Sequence, residues 1–555
     1  MALSEEKPII VQSDGTILLD VHSSNFEAAR DDISVFAELE KSPEHIHTYS
    51  ISPISLWNAA SAGIPTDQVI KRLKKWSRFA IPENVLFQIE DSGSLFGKLV
   101  LVETDSPDTL LLKVENIILY NSLLAVKKLE KLLMPAPGEN GFFVRTLDRG
   151  TVKQELINLG YPVKDNIPLR AGEPMEFKLR ETTAGGKKLV IRDYQIEAAN
   201  AFYGKGAPGN GYGTVVMACG SGKTLVGMKI MELMQTQTLI LTTNIAAVHQ
   251  WMEELLDKSF VKREDIGEYS GEKKEIKPIT VATYQILTWR PDKKEHFPHF
   301  EIFKKNRWGL IIYDEVHLLP APVFRITAEI QAISRVGLTA TLIREDGREK
   351  DLFSLVGPKK YDSPWKDLQA KGWIADASCH EIRVELPEDI KVPYSMAGKR
   401  DKFRLASENP RKLPIIKELI DNHPDDYILI IGQYLSQLKE VKKMLDVPII
   451  TGQTPNKTRE EIYNRFRRGE ERVIIVSKVA NFAIDLPDAS MAIQISGSFG
   501  SRQEEAQRLG RILRPKERNS TFYTLTSRFT VEEEFSANRQ KFLTEQGYRY
   551  LIESR

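Results

Sequence analysis

The chain has 555 residues, which at roughly 150 residues per domain sets an expectation of three or four domains. Hydrophobic residues make up 41% and charged residues 28%, a balance that excludes wholesale disorder and fibrous repeats. The net charge of +1 leaves any anion-binding surface to local arrangement, and two cysteines, Cys219 and Cys379, exclude a disulfide framework or a four-thiolate metal cluster.

The first eight residues carry two acids and no apolar core behind them, so no signal peptide is predicted. No apolar run is long enough to span a bilayer, and the low cysteine count fits a reducing, intracellular compartment. There is no repeat of fixed period and no low-complexity tract.

Along the chain, two short strands are predicted at 9–12 and 16–19 around a Ser-Asp-Gly turn. Helices follow at 55–62 and 66–78, separated by Gly63-Ile64-Pro65. The second carries Lys71, Arg72, Lys74, Lys75 and Arg78. A helix-turn-helix pair is one reading, and a solvated charged face is the simpler one. Asp148-Arg149-Gly150-Thr151 leads into a helical stretch ending at Gly160-Tyr161-Pro162, and 182–188, with Gly185-Gly186, reads as a linker.

From about 189 strand and helix patterns alternate, with buried strands predicted at 214–217, 238–242, 279–283, 309–313 and 336–339. The style repeats at 427–431, 448–450, 473–476, 491–495 and 522–525. A helix is predicted from Pro455 with Thr454 as N-cap, and another from Ser501 opening with a capping box. Two successive α/β lobes predict a ligand held between them.

The strongest chemical signal is Gly220-Ser221-Gly222-Lys223-Thr224, placed after an apolar strand and opening a helix. Glycines let backbone N–H groups curl round phosphate oxygens, and the helix start adds positive potential. Lys223 would reach the β- and γ-phosphates of a nucleotide, and the Thr224 hydroxyl would hold Mg²⁺. The full pattern has glycine where this chain has Met217. A Gly-Ser surface turn is the plain alternative, and the flanking strand and helix weigh against it.

An apolar strand then ends in Asp314 and Glu315. Strand C-terminal ends of an open α/β sheet face the ligand crevice. Asp314 would bind Mg²⁺, and Glu315 would orient and deprotonate an attacking water. On a helix, Gln507, Arg511 and Arg514 share one face, and two arginines there would stabilise charge in phosphoryl transfer.

These residues resemble superfamily 2 helicases, and within them the XPB family of DNA helicases. The resemblance is carried by Asp314-Glu315-Val316-His317, by Leu338-Thr339-Ala340-Thr341, by Arg344-Glu345-Asp346 and by 507–514. The stretches 9–14, 56–59, 148–150 and 545–548 are similar to the bacterial branch, and the likeness spans nearly the whole chain.

The resemblance implies an α/β chain with two tandem RecA-like parallel-sheet helicase lobes preceded by a mixed α+β N-terminal region. The implied domains are an N-terminal domain at 1–140, a damage-recognition-like region and linker at 141–188, an ATP-binding lobe at 189–365 and a second lobe at 366–555. The second lobe carries a short thumb-like insertion near 388–407. Arg192 and Gln195 match an adenine-reading motif, with Asp193 where the family usually has proline. Cys219, Gly220, Ser221, Gly222, Lys223 and Thr224 would complete the ATP site. His317, Thr339 and Thr341 match positions that couple hydrolysis to lobe motion. Arg344, Glu345 and Asp346 match a strand-separating motif, and Thr283 and Ser477 lie in motifs that touch nucleic acid.

The implied activity is an ATP- and Mg²⁺-dependent DNA helicase or translocase of 3′-to-5′ polarity, in repair of the nucleotide excision type. A structure-specific nuclease partner, a monomeric state and a cytoplasmic location are implied with it. Two other readings are an ATP-switched DNA-binding scaffold and an RNA helicase. ATP hydrolysis with and without single-stranded DNA or RNA separates the three.

Overall fold

The computed structural model describes residues 7–41, 45–106, 108–138, 140–206, 209–217, 221–292, 298–331, 333–340, 349–363, 377–477, 489–497, 520–545 and 550–555. Among them no helix is long and apolar enough to cross a membrane.

The first unit is a four-stranded antiparallel sheet closed by helices. Ile9–Val11 pairs with Thr16–Asp20, which pairs with Ile46–Ser50, and Glu38–Lys41 forms the far edge. Pro53–Ser61 starts at a Ser52–Ser55 capping box, and Thr66–Trp76 follows the left-handed Gly63. Asp32 explains the basic second helix: it pairs with Arg72 and Lys75 and accepts from the Trp76 indole at 2.6 Å. Part of that cationic face is therefore an internal brace.

The second unit is a five-stranded sheet in the order Met134–Pro135, Gly141–Arg145, Thr109–Val114, Leu99–Glu103, Val163–Asp165. A boundary after residue 140 would fall between two neighbouring strands of this one sheet. The strand pairing instead holds the region from Leu99 to Ile167 together around one core. The stretch 182–188 is likewise no free linker. Thr182 bridges Lys188, and Ala184 and Gly185 donate to the backbone and side chain of Asp257. Glu173 and Met175 already hydrogen-bond to the first lobe, through Arg307 and Gln235.

That lobe is a seven-stranded parallel sheet. Its order is Ile266–Tyr269, Ile279–Thr283, Thr238–Thr242, Leu310–Asp314, Ser334–Thr339, Tyr212–Met217, Lys359–Ser363. Most of these strands are buried along their length, because helices cover both faces of the sheet. The edge strands Ile266–Tyr269 and Lys359–Ser363 were not predicted; Gly267 and the polar run Lys-Lys-Tyr-Asp-Ser mask them.

The second lobe repeats the plan, with the parallel order Ile449–Ile450, Val473–Ser477, Ile428–Gly432, Met491–Gln494, Ser520–Ser527, Ala377–Val384, Tyr550–Ser554. The region 388–407 forms two helices, Glu388–Met396 and Lys399–Ser407. Thr454 is not the N-cap predicted for the next helix. Pro455 takes that position, the helix is Asn456–Arg467, and the Thr454 hydroxyl accepts from Thr451 N at 2.9 Å. Inside this lobe the buried Lys412 Nζ lies 2.8 Å from Glu532 Oε2 and donates to Ile495 O.

Candidate active site

Strand Tyr212–Met217 delivers the chain to the phosphate loop, and Met217 is fully buried in the core. The loop's last two residues are described. Ser221 is buried, and Gly222 has φ 87°, a left-handed conformation from which helix Lys223–Met234 starts. A Cβ at Gly222 would stand 2.4 Å from Gln195 Nε2, the tip of a side chain that would have to shift, and the positive φ itself favours glycine there. Cys219 and Gly220 lie outside the described residues.

The expected adenine-reading motif folds against this loop. Gln195 is buried; its Oε1 accepts from Arg192 N at 2.9 Å and its Nε2 donates to Ser221 O at 2.8 Å. Tyr194 OH donates to the same carbonyl at 2.6 Å, and Arg192 Nη1 lies 3.3 Å from that hydroxyl. The Gln195 amide thus ties its helix to the phosphate loop. Tyr194 is a site residue that sequence reasoning missed, although it sits beside Gln195.

Strand Leu310–Asp314 ends three strands' width from the sheet edge, beside Ser334–Thr339. Asp314 Oδ2 accepts from the Trp251 indole at 2.9 Å, and Oδ1 accepts from Glu315 N at 3.1 Å. Tyr284 OH donates to the Asp314 carbonyl. Burial, with the Glu315 charge next to it, pushes the Asp314 carboxyl up to about 6. Trp251 and Tyr284 also went unnoticed in the sequence; the tryptophan is 63 residues away and nothing local marks it.

Glu315 adopts φ 49°, a left-handed conformation unusual for a non-glycine residue. It places Oε1 3.6 Å from Lys223 Nζ and Oε2 3.4 Å from His317 Nδ1. The buried His317 Nδ1 lies 2.6 Å from Thr339 Oγ1, at the end of the neighbouring strand. Lys223, Asp314, Glu315, His317 and Thr339 therefore form one contiguous set.

Two carboxylates face one ammonium in this set, and Thr224 supplies a hydroxyl at the start of the same helix. An excess of negative charge among hard oxygen donors fits Mg²⁺. Thr283 and Ser477 end strands and are both buried. The Thr283 hydroxyl caps Tyr284–Thr288, and Ser477 Oγ has no hydrogen-bond partner among the described residues. Toward a nucleic acid they offer strand-end position rather than exposed hydroxyls. Thr341, Arg344, Glu345, Asp346, Gln507, Arg511 and Arg514 lie outside the described residues. Away from the site, His249, Glu268 and Glu272 bring ligand-type atoms within 4.8 Å of one another. There His249 pairs with the buried Glu268 carboxylate, which the Ser270 hydroxyl also holds.

Three family models match the chain: "ERCC3/RAD25/XPB C-terminal helicase" over residues 368–555, "Type III restriction enzyme, res subunit" over 188–344, and "Helicase conserved C-terminal domain" over 9–136. The chain is similar to a protein of Mycobacterium tuberculosis named "DNA 3'-5' helicase XPB", at 46% identity over 98% of this chain and 97% of that one. A protein of Kineococcus radiotolerans with the same name is also 46% identical, over 98% and 96% of the two chains. A protein of Enterocytozoon bieneusi named "General transcription and DNA repair factor IIH helicase/translocase subunit XPB" is 33% identical over 99% and 92%.

Proposed function

This chain belongs to the XPB family of DNA helicases, and from that premise we propose how its own residues carry out the work. The chain is an ATP-dependent DNA helicase of 3′-to-5′ polarity. The observation that carries the residue assignment is the unbroken run Lys223–Glu315–His317–Thr339, which joins the phosphate loop to the end of a second strand.

Lys223 meets the β- and γ-phosphates and has to leave Glu315 to do so. Glu315, released, orients a water and takes its proton as the water attacks the γ-phosphorus. Asp314 and Thr224 would hold Mg²⁺, which neutralises phosphate charge when bound. Arg192 and Gln195 set the base side of the pocket, and the Gln195–Ser221 contact makes loop geometry depend on that side. His317 reports the state of Glu315 to Thr339. Gln507, Arg511 and Arg514 are proposed to complete the site from the second lobe, Thr341 to join the coupling set, and Arg344, Glu345 and Asp346 to part the strands. Thr283 and Ser477 border the nucleic-acid path.

We place the activity in DNA repair of the excision type, in the cytoplasm, with a structure-specific nuclease as partner and a monomer as the working unit. The test is ATP hydrolysis alone, with single-stranded DNA and with RNA, alongside separation of a forked duplex with a 3′ tail. Stimulation by DNA together with unwinding supports the reading. Binding without turnover would favour the ATP-switched scaffold, and stimulation by RNA alone would favour an RNA helicase.

A further inference from the structure

Between the second N-terminal unit and the first lobe lies a set of charged side chains that the nucleotide site does not use. Arg149 donates twice to Asp165, from Nε and Nη2, each at 2.9 Å. Lys153 Nζ donates to the same carboxylate at 2.9 Å and, from the other side, to Gln331 Oε1 at 2.9 Å. Gln331 Oε1 also accepts from Arg335 Nη2 at 2.7 Å. All five side chains are buried. One amide oxygen of the first lobe therefore receives a cation from each body.

The set is built for close docking. A Cβ at Gly150 would lie 2.2 Å from the Ala328 carbonyl oxygen, so helix Arg149–Asn158 approaches Ala321–Glu329 at backbone distance. On the far side Trp57, Ile157 and Phe353 form a small apolar cluster, and Gln154 donates to Asp351 at 2.8 Å. Arg335 Nε and Gln331 Nε2 both donate to Leu355 O, at 2.5 and 2.9 Å. Leu355 belongs to the π-helical turn Leu352–Val356, whose Phe353 meets Trp57.

Arg335 is the second residue of strand Ser334–Thr339, and the last residue of that strand is Thr339, bonded to His317 beside Glu315. The strand is interior to its sheet and hydrogen-bonded on both sides. Its root is gripped by the second N-terminal unit and its tip touches the hydrolytic set.

We propose that Gln331, with Lys153 and Arg335, is a positioning residue for the helicase reaction: it locks the second N-terminal unit to the root of the coupling strand, so that ATP-driven motion of the lobe carries that unit with it and becomes work on DNA. This rests on the helicase reading. A docking surface that yielded would let each hydrolysis proceed while the step on DNA was lost. Arg149 and Lys153 share the one carboxylate of Asp165, while Arg335 has no carboxylate partner of its own among the described residues, so the Gln331 oxygen is the acceptor that joins Lys153 to Arg335.

The experiment compares the full-length parent with Gln331→Leu. Leucine removes the shared acceptor together with the amide donor to Thr327 O and Leu355 O. ATP hydrolysis with and without DNA and separation of a forked duplex are read on the same preparation. In Gln331→Leu, DNA-stimulated hydrolysis should stay within about twofold of the parent while base pairs separated per ATP fall about fivefold or more. If leucine strands the ammonium and the protein does not fold, Lys153→Met combined with Gln331→Leu removes that charge, and the same ratio is read. A folded leucine or double variant with an unchanged ratio overturns the proposal. So does a parallel loss of hydrolysis and unwinding, or failure of both to fold, since either marks a purely structural role. A parent without DNA-stimulated hydrolysis would instead defeat the helicase reading itself.

Discussion

Lys223 Nζ lies 3.6 Å from Glu315 Oε1, so the phosphate-binding cation and the base that would activate water hold each other. Under the proposed roles, a nucleotide phosphate would replace Glu315 as the partner of Lys223 before Glu315 orients a water, and substrate binding would be coupled to activation of the base.

Lys223→Ala removes the cation proposed to face the transferring phosphoryl group. Its side chain is only 11% exposed and pairs with Glu315, so loss of the cation has to be read beside a check of the fold. Hydrolysis should fall by about 10²-fold or more, as expected when one preorganised charge is lost from a transition state. Steady-state turnover with a circular dichroism control checks it, and near-parent turnover in a folded variant would refute the assignment.

Glu315→Gln keeps the shape and a hydrogen-bonding group but loses the base. ATP should still bind, because Lys223, Thr224 and Asp314 remain, while the hydrolytic rate drops by about 10²-fold or more. Nucleotide affinity and single-turnover hydrolysis separate the two effects. Lost affinity with unchanged maximal turnover would reverse the roles given to the two acids.

Trp251→Phe deletes the N–H that donates to Asp314 Oδ2 at 2.9 Å and leaves the ring in the core. The carboxylate then has one donor fewer to stabilise its charged form. The Mg²⁺ concentration needed for half-maximal hydrolysis should rise severalfold, with a stability cost of about 1 kcal/mol. Titrating Mg²⁺ in both proteins decides it; superimposable curves would show that the indole is only packing.

In the second lobe, Lys412 and Glu532 are 0% and 1% exposed and 2.8 Å apart. Lys412→Ala should cost about 3–5 kcal/mol by leaving a buried carboxylate without its counter-charge. Lys412→Met with Glu532→Gln should recover much of that loss. Urea unfolding of the three proteins gives the comparison, and a cost below 1 kcal/mol for Lys412→Ala would contradict the argument.

Burial and two neighbouring arginines push the Lys153 ammonium down to about 7, against the pull of Asp165. In the unfolded chain an ordinary lysine holds its proton to about 10.4. Between these values the unfolded chain binds more protons, so this group makes stability rise with pH, by at most about 1.4 kcal/mol per unit. Parent and Lys153→Met should therefore diverge in the parent's favour from pH 7 to pH 10 in thermal unfolding. A parallel pair of curves would show that Lys153 keeps its proton when folded.

The phosphate loop and the Asp314-Glu315 pair were legible in the sequence because their chemistry is local. Consecutive residues supply the glycine turn, the ammonium and the hydroxyl, and an all-apolar run announces the strand that presents the acids. Parallel strands buried on both faces likewise announce themselves by composition, whereas the polar edge strand Lys359–Ser363 and the second unit's sheet across residue 140 do not. Tertiary structure alone decided who meets whom. Trp251 reaches Asp314 across 63 residues, Gln195 reaches Ser221 across 26, and Lys153 reaches Gln331 across 178. Each contact is one hydrogen bond between side chains or backbone groups whose sequence neighbourhoods look ordinary. A hydrogen bond needs its atoms about 3 Å apart, and only the packing of sheet, helix and docked unit fixes that distance.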